Sequence, residues 1–518
     1  MKMKTLNETK RHIISYTFPA LMFGALSGAI SAAVITIYKW LAKHSVDISE
    51  KAYHILNKKP AFLPIAIAIL FIATFILSRV YNKEPNLQGG GIPTSIGAMR
   101  GYFSLHPLKN TVGVFLLSLL SFIIGIPLGT EGPSVQMGAA IGSGLTKASP
   151  KKLRAWERFS MTGGASAGFS VATGAPISAI LFSIEEAHQR VSPIIVFISI
   201  ISVLSASIVS NVLSPIFDVQ KSLFSLSNFN EASLDKLWIP LVAGLFMGIF
   251  AVAFLKGYTF LHRLYEKIFK HVSQRIRIFS AMLLTLILGL ISFSFISTGH
   301  HFAVSLFASS PTLLMLIAII LVRSVLTLNA NLNGITGGIF LPLLAIGAAA
   351  SALLAKGLTF LGMSQEYVPF ILALGICSSV AGMMKMPLTA ILFAIEALGL
   401  SDNILSVIIT AAIAFSIPEM IGENSIGEHV LKNRIKGLSI GKKNKHGEMT
   451  VEVESGSFAI GKDVRDIFWP HGVYVTSIEH IQKGQLFNIG DKLLISYNTN
   501  DFERMEKELF AITKSSKA

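Results

Sequence analysis

Long apolar runs interrupted by Gly and Pro constrain this chain more than any other feature of its sequence. They cover residues 13–40, 62–77, 111–128, 194–213, 239–255, 279–296, 313–322 and 404–417. Several are long enough to cross about 30 Å of hydrocarbon as a single helix. Others are broken, and a break at membrane depth frees backbone N–H and C=O groups that lipid cannot satisfy. Such breaks are expected in tilted, short or re-entrant helices that line a cavity inside the protein. The chain is 52% hydrophobic and 14% charged, with a mean hydropathy of +0.62, whereas a soluble domain carries about 25% charge. The first run is too long, and lacks a processing site, to read as a cleavable signal peptide. The single cysteine, Cys377, excludes an intramolecular disulfide and reads as core filler.

Two of the breaks carry the chemistry: Gly129-Thr130-Glu131-Gly132-Pro133 and Gly337-Gly338-Ile339-Phe340-Leu341-Pro342. A helix that starts inside a bilayer leaves its first N–H groups unpaired beside the positive end of its dipole, which makes a cradle for an anion. Glu131 adds an ionisable carboxylate at a depth where charge is costly and usually functional. Its bland reading is a carboxylate that complements its own helix dipole. Phe340 is open to a similar reading, as core packing, although the flanking Gly and Pro favour a helix start facing a cavity.

The chain also repeats itself. Ala175-Pro-Ile-Ser-Ala-Ile-Leu-Phe-Ser-Ile-Glu-Glu186 matches Met386-Pro-Leu-Thr-Ala-Ile-Leu-Phe-Ala-Ile-Glu-Ala397, and each copy follows one of the two Gly-rich breaks. Pro133 to Pro176 is 43 residues and Pro342 to Pro387 is 45. Two halves with the same layout, about 12–255 and 278–434, predict a duplicated transporter core whose site lies at mid-membrane on the repeat interface. The alignment pairs Glu396 with Glu185 and puts Ala397 where the first half has Glu186, so Glu396 is expected to pair or cap. Glu186 itself reads either as a proton carrier or as a solvated terminal residue. His188 and Arg190 read as solvated loop residues rather than metal ligands, and the Met383, Met384 and Met386 cluster reads as packing around a helix break.

The net charge of +15 is spread over loops and ends rather than over one face. The start (Lys2, Lys4, Lys10, Arg11) and the linker 256–277 are strongly basic, while 218–236 is balanced. The positive-inside rule puts the first two on the cytoplasmic side and the third outside, and leaves a nucleic-acid role unsupported. An intramembrane enzyme would need clustered nucleophiles or metal ligands, and no apolar run supplies them. A soluble tail over 435–518 has strand-like alternation at 449–454, 473–478 and 492–497. It also has a short helix at 463–468 and an amphipathic helical spacing at 501–512, which together give a small α+β domain.

Together with Gly89-Gly90-Gly91-Ile92-Pro93, the two breaks resemble, in order, the three signatures of the CLC family of chloride channels and chloride/proton antiporters, over about residues 10–434. The tail resembles, more loosely, the ligand-sensing half of regulatory domains on bacterial potassium-uptake systems. The family resemblance implies an all-α polytopic fold with an inverted repeat and a homodimer with one anion pathway per subunit. It further implies a prokaryotic plasma membrane, cytoplasmic termini, and a small-molecule ligand at the tail as one reading. No metal, nucleic acid or resident cofactor is implied, and the cargo is chloride and a proton. By position Glu131 matches the external gate and Glu186 the internal proton-transfer glutamate. Gly90, Gly91, Ile92, Gly132, Ile339, Phe340 and Gly427 fall at the anion site.

Two positions depart from the family pattern. The first signature usually has serine where Gly90 stands, and a late tyrosine of the family aligns with Gly427. Both side-chain hydroxyls on the central anion are then missing, with Thr94, Ser425 or water as substitutes. Passive anion conduction and fluoride/proton exchange therefore stand beside chloride/proton exchange as alternatives.

Overall fold

The computed structural model describes residues 17–189, 191–224, 229, 234–439, 445–454, 457–479, 486–499 and 502–513. The basic start, Arg190, much of the balanced loop, and Asp501 at the start of the tail helix lie outside them. The helices of the first half are α1 (Phe18–Lys58), α2 (Leu63–Lys83), α3 (Ile92–Met99), α4 (Pro107–Ile124), α5 (Glu131–Ala148), α6 (Glu157–Thr173), α7 (Pro176–Phe182) and α8 (Pro193–Ile216). Those of the second half are α9 (Trp238–Phe269), α10 (Gln274–Ile291), α11 (His300–Ser305), α12 (Leu313–Leu332), α13 (Phe340–Phe360), α14 (Val368–Met383), α15 (Pro387–Leu398) and α16 (Ile404–Met420). Helix α17 (Ile426–Ser439) leads to the tail. Among the described residues ten helices are long and apolar enough to cross a membrane. The basic linker is mostly helical, being the end of α9 and the start of α10.

Proline marks many of the helix starts, at Pro19, Pro64, Pro107, Pro176, Pro193, Pro369 and Pro387. In the first turn its missing N–H costs nothing and its fixed φ is already helical. The outward faces remain apolar: Phe71, Leu204, Ile249 and Leu314 are all exposed, which suits lipid rather than water. The centre is different. Nearly every residue of α6 and α14 is buried, and many are Gly, Ala or Ser. Where α5 crosses α6, a Cβ on Gly138 would stand 2.0 Å from the Gly164 carbonyl oxygen, so the two backbones touch. Small residues of this kind let membrane helices pack without a hydrophobic driving force.

The repeat is visible as reciprocal capping. The Glu396 carboxylate, near the end of α15, accepts from the N–H groups of Ile177 (2.8 Å) and Ser178 (2.9 Å) at the start of α7. Glu185, just past α7, accepts from Leu388 N–H (2.9 Å), Thr389 N–H (2.7 Å) and the Thr389 hydroxyl (2.7 Å) at the start of α15. The two helices therefore lie antiparallel, each closing the other's unpaired N-terminus. Glu396 caps, as the alignment suggested.

In the tail, strands β1 (Lys445–Glu452), β2 (Val473–Glu479) and β3 (Lys492–Thr499) form an antiparallel sheet in the order β1-β3-β2, with Met449 and Val475 both opposite Ile495. Helix α18 (Phe502–Thr513) contributes buried Met505, Leu509 and Ile512. The tail docks on the membrane part. Trp156 and Phe159 share a core with Phe458 and Phe468. Arg158 donates to the carbonyls of Phe468 (3.2 Å) and Trp469 (2.6 Å) and pairs with Glu508 (2.5 Å).

Candidate functional site

The starts of α5 and α13 occupy equivalent places in the two halves, and they meet. Gly129 N–H donates to Gly338 O (2.6 Å) and Gly338 N–H to Gly129 O (2.8 Å), an antiparallel bridge between the residues two before each helix. The bridge therefore joins two repeat-equivalent residues, and the two positive helix ends converge on one spot. In α5 the four orphan N–H positions are Thr130, Glu131, Gly132 and Pro133; in α13 they are Ile339, Phe340, Leu341 and Pro342. Proline takes the fourth place in both, so three donors remain on each side. The next amides already bond within their helices: Ser134 N–H to Thr130 O (3.0 Å) and Leu343 N–H to Ile339 O (3.1 Å).

The first signature closes the third side. Gly91 adopts φ +74°, ψ −60°, a γ-turn conformation that only Gly adopts readily, and the Ile92 N–H bonds Gly90 O at 2.8 Å. That bond commits the Ile92 amide, which the sequence placed among the anion ligands. A Cβ on Gly91 would stand 2.1 Å from Gly132 O, and one on Gly132 would stand 2.0 Å from Gly90 O and 2.7 Å from Gly338 Cα. Backbone thus meets backbone at all three loops, and these positions leave no room for a side chain.

Glu131 lies where they meet. It is fully buried; Oε1 accepts from the Thr130 hydroxyl (3.2 Å), and Oε2 has no partner among the described residues. A Cβ on Gly129 would stand 2.6 Å from Oε2 and 2.8 Å from Leu341 Cβ, so the carboxylate spans from its own helix start to the opposing one. The Phe340 side chain packs edge-on against Phe169 (5.2 Å) and Phe393 (5.8 Å). Both readings of Phe340 hold, since its ring is core and its backbone opens α13.

Basic vestibules flank this spot. One, of about 490 Å³, reaches Thr130 and Leu341 and is lined by Lys39, Lys43, His300 and His301. The other, of about 450 Å³, reaches Gly89 and Gly90 and is lined by His262, Arg277, Asn331 and Arg434. Among the described residues neither has an Asp or Glu in its lining.

Glu186 and Gly427 form a separate locus. Beyond α7 the chain makes a π-helical turn, Ser183–His188, which buries Glu186. Arg100 clamps this turn, donating to Glu186 O (2.9 Å), Ala187 O (3.0 Å) and Glu428 Oε1 (2.5 Å). A Cβ on Gly427 would stand 2.2 Å from Glu186 Oε1. The place expected of a family tyrosine therefore lies against the Glu186 carboxylate, and Gly427 floors Glu186. Glu185 is not the solvated neighbour that would make Glu186 a terminal residue, because it caps α15. His188 is also held: its Nε2 lies 2.7 Å from the Thr162 hydroxyl and its ring stacks on Phe468.

Sequence reasoning named Glu131, Glu186 and the glycines, but missed Arg100, Arg434, Asn331 and Lys39. A lone Arg100 next to the first signature was the only signal for any of them. Both proposed hydroxyl substitutes have a neighbour but act towards it as acceptors, which leaves their own O–H donors unused by these contacts: Thr94 accepts from Arg434, and Ser425 caps α17 by accepting from Glu428 N–H (3.1 Å).

Comparison with known proteins agrees with this geometry. A family model described as voltage gated chloride channel matches residues 69–419. The H+/Cl− exchange transporter ClcA of Vibrio campbellii is 26% identical over 428 residues, covering 81% of this chain and 90% of the relative. Among solved structures, a slow cyanobacterial Cl−/H+ antiporter superposes with a TM-score of 0.70 at 25% identity, covering 81% of this chain and 98% of the other. A CLC-type fluoride/proton antiporter matches in fold, with a TM-score of 0.64 at 21% identity, covering 77% and 94%.

Proposed function

Because this chain belongs to the voltage gated chloride channel family, we propose that it exchanges chloride for protons across a membrane, with Glu131 as the gate of the anion path. The observation that carries this reading is the buried Glu131 carboxylate, seated across two opposed helix starts with one oxygen unpartnered and a basic vestibule on either side. When ionised, the carboxylate competes with a halide for the same N–H groups. When protonated, it loses that attraction, leaves the cradle and lets an anion enter. Backbone donors suit a cargo that must bind and then leave, where a Lys or Arg would hold it. Glu186 serves as the second proton station, its turn fixed by Arg100. The cargo is the anion and the proton, with no resident cofactor. The names of the relatives, as H+/Cl− exchangers, support the choice of exchange over conduction.

The test uses proteoliposomes. An imposed chloride gradient should drive protons uphill in wild type; Glu131→Gln and Glu186→Gln should each abolish proton movement, with anion flux persisting in at least one. Undiminished proton pumping by either variant overturns that residue's role. One observation favours a passive channel instead: Gly90 puts no side chain into the path. Downhill chloride flux without any proton movement in wild type would select the channel, and parallel fluoride and chloride efflux would identify a fluoride exporter.

We further propose a homodimer in a prokaryotic plasma membrane, with residues 1–434 as the transport domain and 435–518 as a cytoplasmic regulatory tail. The apolar stripe Ile200, Leu204, Ile208 and Val212 on α8 supports burial against lipid or a second copy. Cross-linking to a species larger or smaller than two copies refutes the dimer. For the tail, support comes from Phe468 on His188, two residues past Glu186. Deletion after Gly437 that leaves transport unchanged, in a chain that binds no small molecule, removes the regulatory role.

A further inference from the structure

The antiport reading leaves the central anion without either of the family's hydroxyls, and the structure offers a donor from another element. Asn331 lies in the last turn of α12, is 8% exposed, and its Nδ2 has no hydrogen-bond partner among the described residues. A buried amide N–H₂ without an acceptor is costly and uncommon. Of the atoms around the empty side-chain direction of Gly90, Asn331 Nδ2 is the nearest, 3.5 Å from where a Cβ would stand; next are Gly337 O and Pro93 Cδ, both at 3.8 Å. The amide therefore faces the space that a serine hydroxyl at position 90 would enter, and it lines the same cavity as Gly90, Arg277 and Arg434.

Several other side-chain amides and guanidinium groups of that cavity already have partners. Arg434 holds the Thr94 hydroxyl, Asn433 donates to the Tyr258 hydroxyl (3.1 Å), and Asn333 accepts from the Tyr265 hydroxyl while donating to Asn329 O (2.8 Å). Gln88 Nε2 bonds Tyr81 O (3.4 Å). The Asn331 amide is an unspent donor at the point where the basic vestibule meets the Gly90 loop, and Arg277 Nε, also without a partner among the described residues, adds a cationic donor to the same cavity. A desolvated anion lodged there supplies the acceptor that Nδ2 lacks, and the amide supplies a donor where glycine has none.

We infer that Asn331 is an anion-coordinating residue of the transport path, its Nδ2 donating to a monovalent anion beside Gly90 in place of a hydroxyl from residue 90. The inference rests on the antiport reading only in assuming that an anion occupies this path. It is tested on the purified full chain by isothermal titration with chloride, which reads binding without transport. Asn331→Leu and the isosteric Asn331→Asp should each weaken chloride binding about tenfold to a hundredfold, the loss of one hydrogen bond to a charged group. Adding Gly90→Ser to Asn331→Leu should restore binding at least in part, since a Cβ at residue 90 meets only ordinary contacts. If Asn331→Leu does not fold, the Asp variant decides. Chloride binding by wild type that is equally tight in Asn331→Asp overturns the inference and leaves the antiport reading intact. Wild type that binds no chloride overturns the antiport reading itself.

Discussion

Cys377 gives a direct measure of the capping exchange between the two halves. It is the chain's single cysteine, its side chain is fully buried in α14, and its thiol donates to Ala390 O (3.3 Å) in the first turn of α15. That turn is held by Glu185, whose carboxylate takes two backbone N–H groups and the Thr389 hydroxyl. In Glu185→Gln the charge is gone and one of the two acceptor oxygens becomes an N–H₂ facing N–H donors. A hydrogen bond to a charged group contributes about 1.5–3 kcal/mol, and stranding a buried donor costs about as much. Taking one such loss as uncompensated, local opening of α15 should become about tenfold to a hundredfold more populated. Labelling of the native protein by a small, membrane-permeant thiol reagent should accelerate by the same factor. Glu396→Gln uncaps α7, whose Ser178 hydroxyl also bonds Thr389 O (3.3 Å), so it should accelerate labelling too, but by less than Glu185→Gln. Equal rates for wild type and Glu185→Gln, with denatured protein labelling rapidly, would refute the claim that this carboxylate holds α15.

Gly91→Ala must place a Cβ 2.1 Å from Gly132 O at φ +74°. It should abolish folded, monodisperse protein, while Gly257→Ala, with open space around it, should express as wild type. Arg158→Ala removes two carbonyl contacts and an ion pair from the tail interface, so limited proteolysis should release the tail at lower protease in the variant; unchanged cleavage would mean the aromatic contacts hold it alone. In the tail, burial pushes the Lys462 ammonium down to about 7, with Asp466 opposing. Its unfolded pKa is near 10.4, so between about pH 7 and 10 the unfolded tail binds the extra proton, and stability rises with pH by about 1.4 kcal/mol per unit. Urea unfolding of the tail, followed by Trp469 fluorescence, should show its midpoint climb from pH 7 to pH 9 in wild type. The climb should flatten in Lys462→Met, and a parallel climb in both would refute the assignment.

What was legible in the sequence follows from what local pattern encodes. The spans, the Gly-rich helix starts, the repeat and the strands of the tail depend on runs and periods a few residues long, and they appear where expected. Glu131 was legible because a carboxylate in an apolar Gly-Pro break is too costly to keep without a use. The partners were not. Arg434 reaches Thr94 from a distance of 340 residues, and no local pattern marks such a pair. The commitment of the Ile92 amide depends on one backbone conformation at Gly91, and the contact of Gly427 with Glu186 depends on a turn that no periodicity announces.

That turn also bears on the proton role proposed for Glu186, which the repeat offers in one half alone. Glu185 and Glu396 are equivalents, each capping the opposite helix, so the residue after each points to an equivalent place. Ala397 there is 1% exposed and Glu186 is 3% exposed, a buried position in both halves. In the second half the helix continues regularly to Leu398; in the first it gives way after Phe182 to a π-helical turn. An extra residue per turn is a cost that helices carry mostly at functional sites. Here the wider turn accompanies a buried carboxylate whose backbone Arg100 clamps, whose floor is the bare Cα of Gly427, and whose flank is His188 against the docked tail. A membrane-buried acid needs a route for its proton and walls that do not neutralise it. Only the first half departs from regular helix at this place, and only the first half has a carboxylate there.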